Sequence, residues 1–318
     1  MKTMTWLIKR ELWEHKGMLL WAPAIVGGLI AAFTALVLLY SSSGSIDING
    51  ESITLGMIDA TPAMRAKILD VLAHGYIATA APVLLMLGFL VFFYCLGALY
   101  DERRDRSLLF WKSLPVSDRT TVLSKLLLAL GVAPLVVTVV GALAALAVLL
   151  MICTAAAFKG LNLFGPLLMS PAFYLAPLQL LALLPVYALW ALPTVAWLLL
   201  VSSWARSKVF LWAVGAPLLA MMLAKWANHA FNLDWNIDWV IQQVVSRMLL
   251  GVAPGSWLAV EHVDPVLLLA ADGHRADLGN ILGQSWGTLA HANVWIGVAA
   301  GVAMIAGAVW LRRHREEG

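Results

Sequence analysis

Long apolar runs separated by short charged stretches set the pattern of this chain. A helix crossing the hydrocarbon core of a bilayer needs about 20 apolar residues. Six runs reach that length, at 17–40, 73–100, 123–153, 174–202, 208–226 and 291–311. Ahead of the first lies TMTWLIKRELWEHK, residues 3–16. Met4, Leu7, Ile8 and Leu12 recur there at helical spacing, Lys9, Arg10, Glu14 and Lys16 lie elsewhere, and Trp6 and Trp13 flank the stripe. The pattern predicts an amphipathic helix in the head-group region, interrupted by Glu11. This charged helix, and an apolar run longer than a signal sequence carries, argue against a cleaved leader.

The pieces between the runs carry their own signals. Residues 41–60 are polar and turn-rich and read as an external loop, and Thr61-Pro62 reads as a helix start. The longest piece without a spanning run is 227–290. Within it Asp234 is a candidate N-cap, and Ile237, Val240, Ile241, Val244, Val245 and Met248 follow at amphipathic spacing until Gly251. This predicts a helix lying against the outer membrane surface, with Trp235, Trp239 and Trp257 nearby. Pro177, Pro185 and Pro193 recur at eight-residue intervals in the fourth run and predict kinks there.

Composition fits a polytopic membrane protein. Hydrophobic residues make up 62% of the chain and charged residues 12%, against about 45–50% and 25% in soluble domains. Cys95 and Cys153 fall inside apolar runs and offer neither a disulfide framework nor metal spacing. With both termini cytoplasmic, 15 of the 21 lysines and arginines fall on the inner side, as the positive-inside rule requires. The net charge of +3 calls for no nucleic-acid partner. The fold class expected is an all-α polytopic membrane protein: a single transmembrane domain over 1–318 with six helices, termini inside, and an external helical segment between the fifth and sixth spans.

The chain lacks Gly-x-x-x-x-Gly-Lys-Ser/Thr, His-Glu-x-x-His and Gly-x-Ser-x-Gly. The spans hold no series of acids of the kind a proton relay uses. Glu261, His262, Asp264, Asp272, His274 and Asp277 crowd the external segment. Such residues can bind a metal or act as acid and base, so a membrane-embedded enzyme is one reading. Their spacing matches no motif. Asp264-Pro265 reads as a helix start and Asp272-Gly273-His274 as a turn in a solvated loop.

The remaining signal is the loop 101–122. Asp101, Glu102, Arg103, Arg104, Asp105 and Arg106 lead into Ser107, Leu108, Leu109, Phe110 and Trp111, and Lys112, Ser113, Leu114 and Pro115 close the segment. Pro115 disfavours helix at Leu114, and Ser117 is placed to cap the next helix. A charged shell around apolar anchors suits a docking surface.

The stretch YDERRDRSLLFWKSLPVSDRTTVLSKLL, Tyr100–Leu127, resembles the first cytoplasmic loop of ABC type-2, exporter-type permeases. The sharp likeness covers about 30 residues, and the helix layout is similar along the whole chain. The resemblance implies a connecting helix at 3–16 and a coupling helix that contacts an ATPase subunit. Glu102, Arg103, Arg104, Asp105 and Arg106 would orient that contact, and Leu108, Leu109, Phe110, Trp111 and Leu114 would anchor it. It further implies two ABC ATPase subunits holding the ATP and Mg, no cofactor or catalytic site in this chain, and a second permease subunit, identical or homologous. The setting it implies is the bacterial inner membrane and its lipids, with an amphiphile as cargo. A non-transporting scaffold that borrows an ATPase is the remaining alternative.

Overall fold

The computed structural model describes residues 2–40, 45–48, 51–54, 62–104, 117–232, 236–270 and 275–314. Helix α1 is Lys2–Glu14, α2 Gly17–Tyr40, α3 Pro62–Gly97, α4 Tyr100–Arg104 and α5 Asp118–Phe158. Short α6, Phe164–Met169, leads into α7, Pro171–Trp204, which is interrupted at Leu183 ahead of Pro185. Then come α8, Ala216–Phe231; α9, residues 237–250; α10, Ser256–Val260; α11, Leu278–Gly287; and α12, Ala292–His314.

Five stretches are long and apolar enough to cross a membrane: α2, Ala78–Arg104, α5, α7 and α12. The segment expected at 208–226 is also helical, as a turn at Leu211–Gly215 followed by α8. It falls outside the five because Lys225, Asn228 and His229 dilute its second half. The expectation of an all-helical chain needs one amendment. In the loop at 41–60, Ser45–Ile48 and Glu51–Thr54 pair as an antiparallel hairpin with Ile46 opposite Ile53. Asn49-Gly50 stands between them in sequence, the dipeptide that favours two-residue hairpin connections. Residues 105–116, Asp234 and the 271–274 turn lie outside the described residues.

Three helices share one device, at the start of α2, inside α5 one turn after Lys125, and ahead of α8. Each carries a five-residue π turn, Gly17–Trp21, Leu128–Val132 or Leu211–Gly215, and each turn is followed by Ala-Pro: Pro23, Pro134 and Pro217. The alanine N–H donates five residues back, to Gly17, Leu128 and Leu211 respectively. A proline ring clashes with the carbonyl four residues earlier. A wide turn just ahead of the proline gives that carbonyl room.

A fourth π turn, Ile241–Ser246, interrupts α9. It adds one residue to the turn and shifts the expected stripe. Val244 is 45% exposed, and Arg247 is buried. Asn236 Oδ1 accepts from the Trp239 N–H at 3.2 Å near the start of this helix.

Trp190, fully buried, lies in the core between α7, α9 and α12. Its Nε1 donates to Thr288 Oγ1 at 3.1 Å. Other buried polar tips bind across helices, as buried groups must: Tyr187 to the Val252 carbonyl, Trp257 to Ser285 and Thr194 to the Arg247 carbonyl. Backbones approach closely at small residues, as in membrane packing generally. A Cβ on Gly27 would meet the Ala144 Cβ at 3.0 Å, and one on Gly251 would lie 2.6 Å from Thr194 Oγ1 and 2.8 Å from the Trp190 carbonyl oxygen.

The path of the chain follows from these contacts. Residues from α1, α4, the start of α5 and the end of α12 meet at one end of the bundle. The end of α7 lies there too, since Arg103 donates to the Ser202 and Ala205 carbonyls. Arg247 of α9 instead bonds the first turn of α12, at the opposite end. The segment 211–231 therefore carries the chain from one end to the other.

Gly251→Ala should destabilise the detergent-solubilised protein by about 1–3 kcal/mol, the usual cost of overpacking. Gly283→Ala, whose Cβ meets nothing within 4 Å, should be neutral or stabilising by up to about 1 kcal/mol. Thermal unfolding of the two variants side by side checks the packing at Gly251.

Candidate coupling site

The charged end of the bundle is built around Lys125. It lies one turn ahead of the π turn in α5, and Ser117 caps the start of that helix by accepting from the Thr120 N–H at 3.2 Å. Its ammonium reaches Glu11 Oε1 of α1 at 2.9 Å and Glu102 Oε1 of α4 at 3.0 Å. The other oxygen of Glu102 accepts from Arg312 Nη1 of α12 at 2.8 Å, and Arg312 Nε donates to Asp118 Oδ1 at 3.0 Å. Glu11 and Lys125 are each only 2% exposed.

Glu11 has further neighbours. The Tyr94 hydroxyl donates to its Oε2 at 3.0 Å, and the His15 Nε2 lies 3.9 Å away. The His15 ring packs edge-on against Tyr94, centroids 5.0 Å apart. At Glu11 the phenol of Tyr94 and the imidazole of His15 add to the ammonium of Lys125. Low polarity around such a cluster strengthens each attraction but also makes any unpaired member costly.

The beginning of the charged loop is fastened by neutral bonds as well. Ser202 Oγ accepts from the Leu99 and Tyr100 N–H groups at 3.0 and 2.9 Å. Arg103 Nη2 donates to the Ser202 carbonyl and, at 2.9 Å, to that of Ala205, satisfying carbonyls at the end of α7. Glu102 and Arg103, expected to orient a partner, thus make their contacts within the bundle, and Arg104 is exposed. Asp105, Arg106, Leu108, Leu109, Phe110, Trp111 and Leu114 lie outside the described residues.

Sequence reasoning missed most of this cluster. Glu11 registered as a fault in an amphipathic stripe, and Lys125 and Arg312 as basic flanks. Two signals point to it. Glu11 shares a helix face with buried Leu7, and Lys125 stands alone beside the apolar run that opens the third span.

At the other end, Asp272 and His274 lie outside the described residues, and the other acids and imidazoles of 261–277 have partners within the fold. Asp264 Oδ1 accepts from Val266 N–H and Asp277 Oδ1 from Asn280 N–H, each capping a helical turn. Glu261 pairs with His291, and His262 meets Gln242 at 2.7 Å. Among the described residues no three His, Cys, Asp or Glu side chains gather as metal ligands do. Burial pulls the Arg247 guanidinium down to about 10, against a raising effect of Glu261, so it stays charged at neutral pH.

Comparison of the chain with protein-family models, curated proteins and solved structures finds no match.

Lys125→Met strips the counter-charge from Glu11 and weakens the hold on Glu102. It should cost about 3–5 kcal/mol, as removal of one partner from a buried ion pair does. Arg10→Ala, which breaks the exposed Arg10–Glu14 pair at 3.3 Å, should cost less than about 1 kcal/mol. Denaturation of both variants in the same detergent tests whether the cluster carries the difference.

Proposed function

We propose that this chain is the membrane-spanning permease subunit of an ATP-driven exporter, paired with a second permease subunit and with two separate ATPase subunits. The observation that carries the reading is the clamp on the first residues of the charged loop. Glu102 joins α1, α5 and α12 through Lys125 and Arg312, and Arg103 joins the end of α7. A partner that pushes on the segment after Arg104 pushes on four elements at once. Packed helices answer such a push by rocking as a body rather than by bending. ATP moves them only if it binds one arrangement better than the other.

The path of the chain supports six crossings with both termini on one side. Glu11 and Arg312 belong to the same cluster, so the number of crossings between them is even. The five longest apolar helices supply an odd number, and 211–231 supplies the other. Its 21 residues span roughly 30 Å at 1.5 Å per residue, the thickness of the hydrocarbon core. The basic bias then puts the ionic end in the cytoplasm. In a background with Cys95 and Cys153 replaced, Lys159→Cys should react with an impermeant thiol reagent from outside the cell. Ser117→Cys should react only after the membrane is opened. The reverse pattern would invert the topology.

Affinity purification of the full chain from its native membrane should retain a cytoplasmic ATPase. Phe110→Ala and Arg104→Ala should weaken that association about 30-fold each, the loss that about 2 kcal/mol at an anchor residue produces. Expression and insertion should be unchanged. An ATPase retained at wild-type affinity by both variants, with transport preserved, would remove the loop from the interface and the main support from this function.

A further inference from the structure

At the end of the bundle away from the ionic cluster, α9 leans on α7 and α12 and leaves a cleft of about 130 Å³. Gln243, Val244 and Arg247, in and just after the π turn at Ile241–Ser246, line it. Met248, Ile296 and Met304 supply much of the remaining wall, which is almost wholly apolar.

Arg247 is the unusual member. It is 3% exposed and charged. Its Nη1 and Nη2 donate to the Asn293 and Val294 carbonyls at 2.7 and 3.0 Å, and its guanidinium lies 4.3 Å over the Trp190 ring. A Cβ at Gly297 would collide with the guanidinium, so the arginine lies directly on the α12 backbone. All these partners are neutral. No carboxylate comes within ion-pair distance of Arg247 among the described residues; Glu261, whose charge it feels, meets His291 through Oε2 and leaves Oε1 unpartnered beyond hydrogen-bond reach of the guanidinium. Arg247 Nε has no hydrogen-bond partner, and neither does the buried Gln243 Oε1 one turn before it. A buried cation held only by carbonyls and a ring is short of an anion.

The cleft has a direction. Asn293 is in the first turn of α12, where a spanning helix meets the head groups, and Met304 lies eleven positions deeper. At 1.5 Å per residue that is about 16 Å along the helix. The polar end is thus at head-group depth and the apolar end within the hydrocarbon. A cavity of about 150 Å³ holds one benzene-sized apolar group, so the cleft encloses about six carbons of a single chain, and the rest of that chain lies along its open, lipid-facing side.

We propose that this cleft binds a single-chain anionic lipid, its carboxylate or phosphate head at Arg247 and Gln243 and its acyl chain along Ile296–Met304. The site is independent of the ATPase, and its test needs no transport.

The test uses the full chain in detergent micelles and a palmitate analogue carrying a photoreactive diazirine on its acyl chain. After irradiation, label should map to the peptides containing Trp239–Met248 and Ile296–Met304. Oleate and a lysophosphatidic acid should each displace the probe at concentrations about tenfold or more below an alkyl glucoside of equal chain length, the margin of one charge-assisted hydrogen bond. Whichever of the two competes better names the head group. Met304→Trp or Ala300→Leu, which fill the cleft, should cut labelling at least about tenfold without lowering the melting temperature. Arg247→Gln should abolish the preference for anionic competitors. Equal displacement by the neutral glucoside, or labelling of these peptides that survives both filling substitutions, would overturn the site.

Discussion

Lys125 is the constraint on which the ionic end of this molecule depends. One ammonium holds a carboxylate from the N-terminal helix and one from the base of the charged loop. Both carboxylates are nearly shut off from solvent, at 3% and 10% side-chain exposure, and that ammonium is the counter-charge they share. The amphipathic helix cannot drift in the head-group layer as a free helix would, because lifting it away strands Glu11 and Lys125 together. The C-terminal helix is tied in through Arg312, so the beginning and end of the chain become parts of one rigid block. An apolar cluster of the same volume would hold the helices as firmly, but without directionality. Ion pairs fix which residue meets which.

The two ends of the bundle handle buried charge in opposite ways. At one end, carboxylates and cations from several helices interlock, and a phenol and an imidazole add to the partners of Glu11. At the other, a single guanidinium rests on carbonyls and an indole, with its nearest acid engaged elsewhere. The first arrangement is closed and serves cohesion. The second is open and favours an added anion.

Much of the framework was legible in the residues. Runs of about 20 apolar residues locate the long helices, because a bilayer leaves few alternatives for such runs. The Pro62 helix start, the Ser117 cap and the Asp264-Pro265 turn followed from local chemistry. What failed to show was long-range or off-period. Glu11 and Lys125 are 114 positions apart, and no local pattern announces their meeting. The α9 stripe assumes a constant helical period, and the π turn displaces it, so that Arg247 is buried while Val244, beside it in the cleft, stays 45% exposed. The hairpin at 45–54 was hidden by its polarity, although its alternating isoleucines and Asn49-Gly50 carry a strand signal. The coupling residues from Asp105 to Leu114 lie outside the described residues, so the resemblance remains their only guide.

The three π turns with their Ala-Pro sequels all fall near the ionic end of the bundle, at the opening of α2, one turn after Lys125 in α5, and at the opening of the 211–231 segment. Each holds one residue of slack. Tightening such a turn to the ordinary helical pitch would screw the downstream helix forward by about 1.5 Å and spin it by about 100°. The backbone would exchange one set of hydrogen bonds for another and break none for good. Three helices with this slack on one level form a collar of swivels, set just above the part of the molecule that is otherwise locked. Tightening one of them would change the face its helix turns toward its neighbours, together with the advance of about 1.5 Å along the axis.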